Sequence, residues 1–178
     1  KKIPVMFRPF HECTFGVSKW RNNCTDREFI ELWRMMVNKV NEACTNVLWV
    51  FNPTVNAMSA ESTIFRRYAG DEYADLIGSD IYFNDATTWS SSITPNTENK
   101  IETLLPVMRR IILAAELRNK IPCLPETGNK FAPRTDFYSK QIYMRMLAQY
   151  DIRFAYMTVW ANMKSATDAN PFFYTPYT

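Results

Sequence analysis

A chain of 178 residues with 47% hydrophobic and 15% aromatic residues has ample material for one packed domain and is not a disordered sequence. Only 4 glycines occur in the whole length, which excludes collagen-like and flexible low-complexity sequence. The net charge is +3 and the basic residues are scattered rather than striped, so nucleic acid is not indicated as a partner, and no apolar run reaches the roughly 18–20 residues that span a bilayer.

The first apolar run, over 3–8, reads as a strand that starts abruptly with no secretory leader before it, so the chain is expected to be the second part of something larger. Next comes a helical period over 26–42, with Phe29, Leu32, Trp33, Met36, Val37 and Val40 on one face. Thr25 and Glu28 stand at the spacing of a capping box, which fixes where that helix begins. A second strand is expected over 46–51, then a short helix and a third strand over 76–83. The helical stripe over 96–119 contains Ile101, Leu104, Leu105, Met108, Ile112 and Ala115, and Pro106 within it predicts a kink or a late start. A fourth strand over 121–125, a helix over 135–150 with Thr135 as N-cap, and a fifth strand over 152–159 complete the order.

The strands are continuous apolar runs rather than alternating ones, which predicts burial on both faces, as in parallel sheets. Strands alternating with helices define an α/β fold with right-handed crossovers. Two architectures meet that description, an open doubly wound sheet and part of a (β/α)₈ barrel. The first strand is followed by Pro9-Phe10-His11-Glu12, with no glycine before Gly16, whereas a nucleotide-binding sheet would carry a glycine-rich turn there. The doubly wound alternative is therefore disfavoured.

The four cysteines, Cys13, Cys24, Cys44 and Cys123, lack the paired spacing of a zinc site, and His11 is the only histidine, so neither metal nor cofactor is expected. Two readings of them stand: buried thiols, or one disulfide, for which Cys13 with Cys24 would close a short loop.

Polar residues gather where strands end. Arg8, His11 and Glu12 follow the first, Asp80 and Tyr82 lie near the end of the third, Glu126 follows the fourth, and Trp160 and Asn162 follow the fifth. In a barrel these ends meet on one face, where enzymes of that fold keep their active sites.

The same residues resemble a known family. Arg8-Pro9-Phe10-His11-Glu12 is similar to the acid/base motif of glycoside hydrolase family 26, whose best-known members are β-mannanases. The resemblance continues through Phe29-Ile30-Glu31-Leu32-Trp33-Arg34, Asn46-Val47-Leu48-Trp49-Val50 and the stretch over 67–82, Arg-Tyr-Ala-Gly-Asp-Glu-Tyr to Ser-Asp-Ile-Tyr. Pro125-Glu126-Thr127-Gly128 resembles the end of the strand that bears the nucleophile, and Val159-Trp160-Ala161-Asn162 resembles the last strand. The resemblance implies a retaining, endo-acting hydrolase on a (β/α)₈ barrel. It also implies that residues 1–178 form the C-terminal part of one catalytic barrel, strands four to eight, with the N-terminal barrel half belonging to the full protein.

By the same resemblance Glu12 is the acid/base and Glu126 the nucleophile. Arg8, if it points inward, would keep Glu126 ionised, and Tyr82 would donate its hydroxyl to the same carboxylate. Asp80 would position Tyr82 or a sugar hydroxyl, His11 would bind a sugar hydroxyl, and Trp160 would lie under the sugar at the cleavage point. Trp20 and Trp89 would extend the cleft, and Asn162 is a weaker candidate, while the patterns around Trp33 and Trp49 favour core packing. The expected substrate is a β-1,4-mannan, glucomannan or galactomannan, or an oligosaccharide of one. The alternatives are β-1,3-xylan, mixed-linkage β-glucan, or a glycan-binding barrel that does not cut. An extracellular, periplasmic or cell-surface location follows from the resemblance. Two departures bear on sugar contacts: the segment after Glu12 has a single tryptophan, and Ala161 stands where mannanases often have arginine.

Overall fold

The computed structural model describes residues 3–14, 23–55, 60–83, 101–129, 137–144, 146, 148 and 151–160. Its strands arise from the apolar runs: β1 (Val5–Phe7), β2 (Val47–Phe51), β3 (Leu76–Gly78), β4 (Ile81–Phe83), β5 (Ile121–Asn129) and β6 (Met157–Val159). Every ladder is parallel. β1 pairs with β2, β2 with β3, and β3 with the first part of β5 through Leu76↔Ile121 to Gly78↔Cys123. β4 pairs with the later part of β5 through Ile81↔Thr127 to Phe83↔Asn129, and β6 pairs with β5 through Thr127↔Val159. Thr127 thus has β4 on one side and β6 on the other. The single strand expected over 76–83 is two short strands laid end to end along one edge of β5, broken at Ser79 and Asp80.

Counting that pair as one, the strands stand side by side in chain order. A doubly wound sheet reverses direction at a switch point; among the described strands there is no reversal. Sequential parallel neighbours joined by helices are consecutive units of a (β/α)₈ barrel, and five strand positions make up part of one.

Helix α1 (Asp26–Ala43) starts at the capping box. The Glu28 N–H donates to the Thr25 hydroxyl at 3.2 Å and the Thr25 N–H donates to the Glu28 carboxylate at 2.7 Å. Phe29, Trp33 and Val37 bury its inner face against Trp49, Phe51 and Ile77, so both tryptophans expected in the core are there. Leu32, expected on that face, is exposed instead, because the contact is made by the Phe29, Trp33, Val37 row and Leu32 falls at its rim. Helix α2 (Glu61–Ile64) is a single turn, and α3 (Ile101–Leu117) runs through Pro106. Leu104, Leu105, Met108, Ile111 and Ile112 of α3 pack with Ile81, Phe83 and Leu124, which joins the helix to the sheet.

Other expectations are corrected. β1 is not buried on both faces: Val5, Met6 and Phe7 are 49%, 52% and 41% exposed, since β2 is its one partner among the described residues. β5 extends to Asn129, so Glu126 lies within the strand rather than after it. β6 is confined to three residues, because Ile152 turns into the core instead of joining the sheet. The helix expected over 135–150 is, over Phe137–Met144, wound with the wider π turn; Thr135 lies outside the described residues. All four cysteines are thiols, so the disulfide alternative is not realised.

Gly78 fixes how closely β3 meets β5. A Cβ there would fall 2.4 Å from the Cys123 carbonyl oxygen and 2.6 Å from both Cys123 Sγ and Pro125 Cδ. Only glycine permits that approach, and the approach carries Asp80 and Tyr82 towards Glu126. Gly78→Ala is expected to destabilise the fold by about 1–3 kcal/mol, the usual penalty for overpacking. Thermal unfolding would show this as a midpoint lowered by several degrees; an unchanged midpoint would mean the strands can separate freely.

Candidate active site

Each strand delivers its polar residue at its carboxyl end. Arg8 follows β1, Asn52 follows β2, Asp80 sits in the break between β3 and β4, Tyr82 lies in β4, Glu126 in β5, and Trp160 follows β6. Because the ladders are parallel and in sequence, these positions share one rim.

Arg8 is the hub. Its Nη1 donates to Asn52 Oδ1 at 2.6 Å and to both carboxylate oxygens of Asp80 at 3.1 Å. Its Nη2 donates to Glu126 Oε1. The other Glu126 oxygen accepts a hydrogen bond from the Tyr82 hydroxyl at 2.6 Å. Both carboxylate oxygens therefore carry a donor, one of them cationic, which fixes the carboxylate plane. Burial works against the Arg8 charge, but the hydrogen bond to Glu126 and the charges of Asp80 and Glu126 outweigh it and raise its pKa. Burial, then the bond to Glu126, push the Tyr82 hydroxyl above its ordinary value, so Tyr82 remains a donor.

Asp80 was expected to position Tyr82 or a sugar hydroxyl; its hydrogen bonds go to Arg8 instead. The Asp80 side chain is wholly buried. Burial foremost, with the Glu126 and Glu12 charges, pushes its pKa from 3.8 up to about 7 despite the pull of Arg8. One cation faces more carboxylates than it can neutralise, and the most deeply buried of them keeps a proton longest. Between pH ~4 and ~7 the folded state holds a proton that the unfolded chain has released, so stability falls as pH rises through that window. Asp80→Asn has no such proton to lose. Relative to Asp80→Asn, the parent is expected to lose stability on raising the pH from 4 to 7.5, by at most about 1.4 kcal/mol per pH unit. Parallel unfolding midpoints across that range would contradict this.

His11 and Glu12 are half-buried. The Glu12 charge acts on both Asp80 and Tyr82, so it lies within electrostatic reach of the cluster around Glu126. Phe10 and Glu12 each have a φ of 51°, a left-handed conformation that non-glycine residues adopt only when their surroundings impose it. Trp160, a residue 43% exposed, meets the Tyr82 ring edge-on at 6.2 Å, and its backbone N–H donates to the Thr127 carbonyl at 2.9 Å. Trp20, Trp89 and Asn162 lie outside the described residues. Asn52 is a site residue that the sequence reading missed. The signal was available: a polar residue directly after an apolar strand, as for Arg8. Beneath the cluster, Tyr156 hydrogen-bonds with the buried Cys123, whose thiol is pushed up to about 12, chiefly by burial.

Helix-covered parallel strands with acids gathered at their carboxyl ends define part of a (β/α)₈ barrel with its candidate site on the usual face. The sequence profile of glycosyl hydrolase family 26 matches residues 1–122, and the chain belongs to that family. The profile match holds Arg8, Glu12, Asp80 and Tyr82 and ends before Glu126. A mannan endo-1,4-beta-mannosidase of Bifidobacterium adolescentis is 29% identical over 93% of the chain, and one of Bacillus subtilis is 33% identical over 47% of it. Among solved structures, the catalytic domain of a Bacillus sp. JAMB-750 endo-beta-1,4-mannanase of the same family superposes over 96% of the chain with a TM-score of 0.75 and 27% identity. A modular endo-beta-1,4-mannanase from Cellulomonas fimi, 24% identical with a TM-score of 0.72, supports the fold. The chain spans 17% of the Bifidobacterium relative and 44% of the Bacillus domain, so it corresponds to part of their length. No helix among the described residues is long and apolar enough to cross a membrane.

Proposed function

We propose that residues 1–178 are the C-terminal part of a single catalytic barrel, and that the complete barrel is an endo-acting, retaining hydrolase of β-1,4-mannosidic bonds in mannan, glucomannan or galactomannan. The observation that carries this is Glu126 gripped on both oxygens by Arg8 and Tyr82, with the Glu12 charge acting on the same cluster. Retention needs two carboxyl groups about 5–5.5 Å apart, one ionised and one protonated. Glu126, held by a cation and a phenol, is the partner that attacks the anomeric carbon. A bond forms between a Glu126 oxygen and that carbon while the bond to the leaving oxygen breaks, and the leaving oxygen takes a proton from Glu12. Water then attacks the same carbon, giving a proton to Glu12 as the bond to Glu126 breaks. Trp160 offers an aromatic face to the sugar, and His11 a hydrogen bond to a hydroxyl.

The choice of mannan rests on the relatives, which are named mannan endo-1,4-beta-mannosidases. Mannan is a polysaccharide met outside the cytoplasm, so the enzyme is read as exported. The test is reducing-end release by the complete barrel from mannan, β-1,3-xylan and mixed-linkage β-glucan. Release from mannan alone is expected. Release from another polymer would reassign the substrate, and saturable binding without turnover would make this a glycan-binding barrel. The 178-residue chain assayed beside it is expected to be inactive, since a closed barrel needs roughly 250 residues.

A further inference from the structure

We infer that Arg67 is a positioning residue for Glu12, holding the backbone beside that acid through a buried fork of hydrogen bonds; this rests on the reading of Glu12 given above. Arg67 is 2% exposed, and a guanidinium buried so deeply must be paired to be tolerated. Its Nε donates to Asp26 Oδ1 at 2.8 Å, its Nη1 to the Cys13 carbonyl at 3.0 Å, and its Nη2 to the Cys24 carbonyl at 3.0 Å. The guanidinium also lies over the Phe29 ring, 5.1 Å from its centre.

Fold stability alone is a poor reason for such a group, because well-packed apolar residues often replace a buried ion pair without loss. Its targets are more informative. Cys13 is the neighbour of Glu12, and Cys24 is the neighbour of Thr25, the N-cap of α1. One planar cation therefore ties the backbone next to Glu12 to the start of a rigid helix. Glu12 needs such a hold, since its left-handed backbone persists only where neighbours enforce it. Other holds act on the residues after Glu12: the Cys13 N–H donates to the Asn52 carbonyl at 3.2 Å, the Thr14 hydroxyl donates to the Thr54 carbonyl at 3.1 Å, and the Thr54 N–H donates to the Thr14 hydroxyl at 2.9 Å. Phe10 rests its ring on Phe29, with centroids 5.7 Å apart, the same ring that Arg67 covers. Glu126, by contrast, is oriented by Arg8 and Tyr82.

Loosening Arg67 should thus disturb the proton donor and spare the nucleophile. The test is Arg67→Lys in the complete barrel, assayed on a mannooligosaccharide and on a dinitrophenyl glycoside whose leaving group needs no proton. Lysine keeps the charge but not the fork that reaches two carbonyls and a carboxylate together. The expected result is kcat/KM on the oligosaccharide lowered by about 30–100-fold, part of what general acid catalysis is worth, with the activated substrate within about 3-fold of the parent. A merely structural role would lower both alike. Equal loss on both, or no loss on either, overturns the inference. If Arg67→Lys does not fold, Asp26→Asn, which weakens the Arg67 Nε bond together with the pair that Asp26 makes with Arg66 and leaves both carbonyl bonds in place, decides by the same ratio: selective loss supports the inference and proportional loss overturns it. A parent that hydrolyses neither substrate fails the proposed function itself and takes this inference with it.

Discussion

Replacing Glu126 by alanine is expected to abolish turnover of mannan and of activated aryl glycosides alike, by on the order of 10⁴-fold or more. The loss should not depend on the leaving group, because what is removed is the atom that bonds to the anomeric carbon. No neighbour can substitute. Asp80 is wholly buried and has both oxygens committed to Arg8. Removing the side chain also leaves Arg8 Nη2 and the Tyr82 hydroxyl without their acceptor, so the vacated space favours a small anion. Azide should therefore restore turnover of an activated substrate in a single displacement. Its nitrogen bonds to the anomeric carbon as the leaving oxygen departs, and the glycosyl azide formed has inverted configuration. Measuring initial rates with and without azide, and the configuration of the product, checks each part. A variant that keeps the parent rate on activated substrates, or a rescued product of retained configuration, would remove Glu126 from the role of nucleophile.

Much of the frame was legible because it rests on local rules. The capping box at Thr25 and Glu28 needs only three-residue spacing and a hydroxyl, and it forms as read. The apolar runs place the strands, and the lack of a glycine turn after the first strand points away from a doubly wound sheet. The break between β3 and β4 has its mark in the sequence, since Gly78-Ser79-Asp80 interrupt the apolar residues over 76–83, although the stretch reads as one strand. Exposure of β1 goes with the expectation that residues 1–178 form only part of a barrel, since the outermost strand of such a part has a partner on one side. The site was half legible. Arg8, Glu126 and Tyr82 come together as anticipated from the resemblance. The attachment of Asp80 to Arg8 depends on which way one side chain turns at a strand break. Asn52 escaped notice although it obeys the same strand-end rule, because an asparagine before a proline reads as a turn residue. Its partner Arg8 lies 44 positions away.

Glu12→Ala should behave in the opposite way to Glu126→Ala, and the contrast is the more demanding test. General acid catalysis contributes about 10²–10⁴-fold where the leaving oxygen must be protonated and almost nothing where it departs as a stable anion. Hydrolysis of mannooligosaccharides should therefore fall by that factor, while the first step on a dinitrophenyl glycoside stays within a few-fold of the parent. The second step loses the base that takes a proton from water, so the glycosyl-enzyme on Glu126 should accumulate. That appears as a burst of leaving group followed by slow turnover, with a lowered KM for the activated substrate. Azide needs no base, so it should speed the slow step by attacking the glycosyl-enzyme, and two successive displacements give a glycosyl azide of retained configuration. The same small nucleophile then yields opposite anomers from the two variants, an outcome that general damage to the barrel cannot produce. Identical behaviour of the two variants in the first step would mean that these carboxylates do not divide acid and nucleophile between them. The left-handed turn at Glu12 and the clamp of donors on Glu126 would then need another explanation.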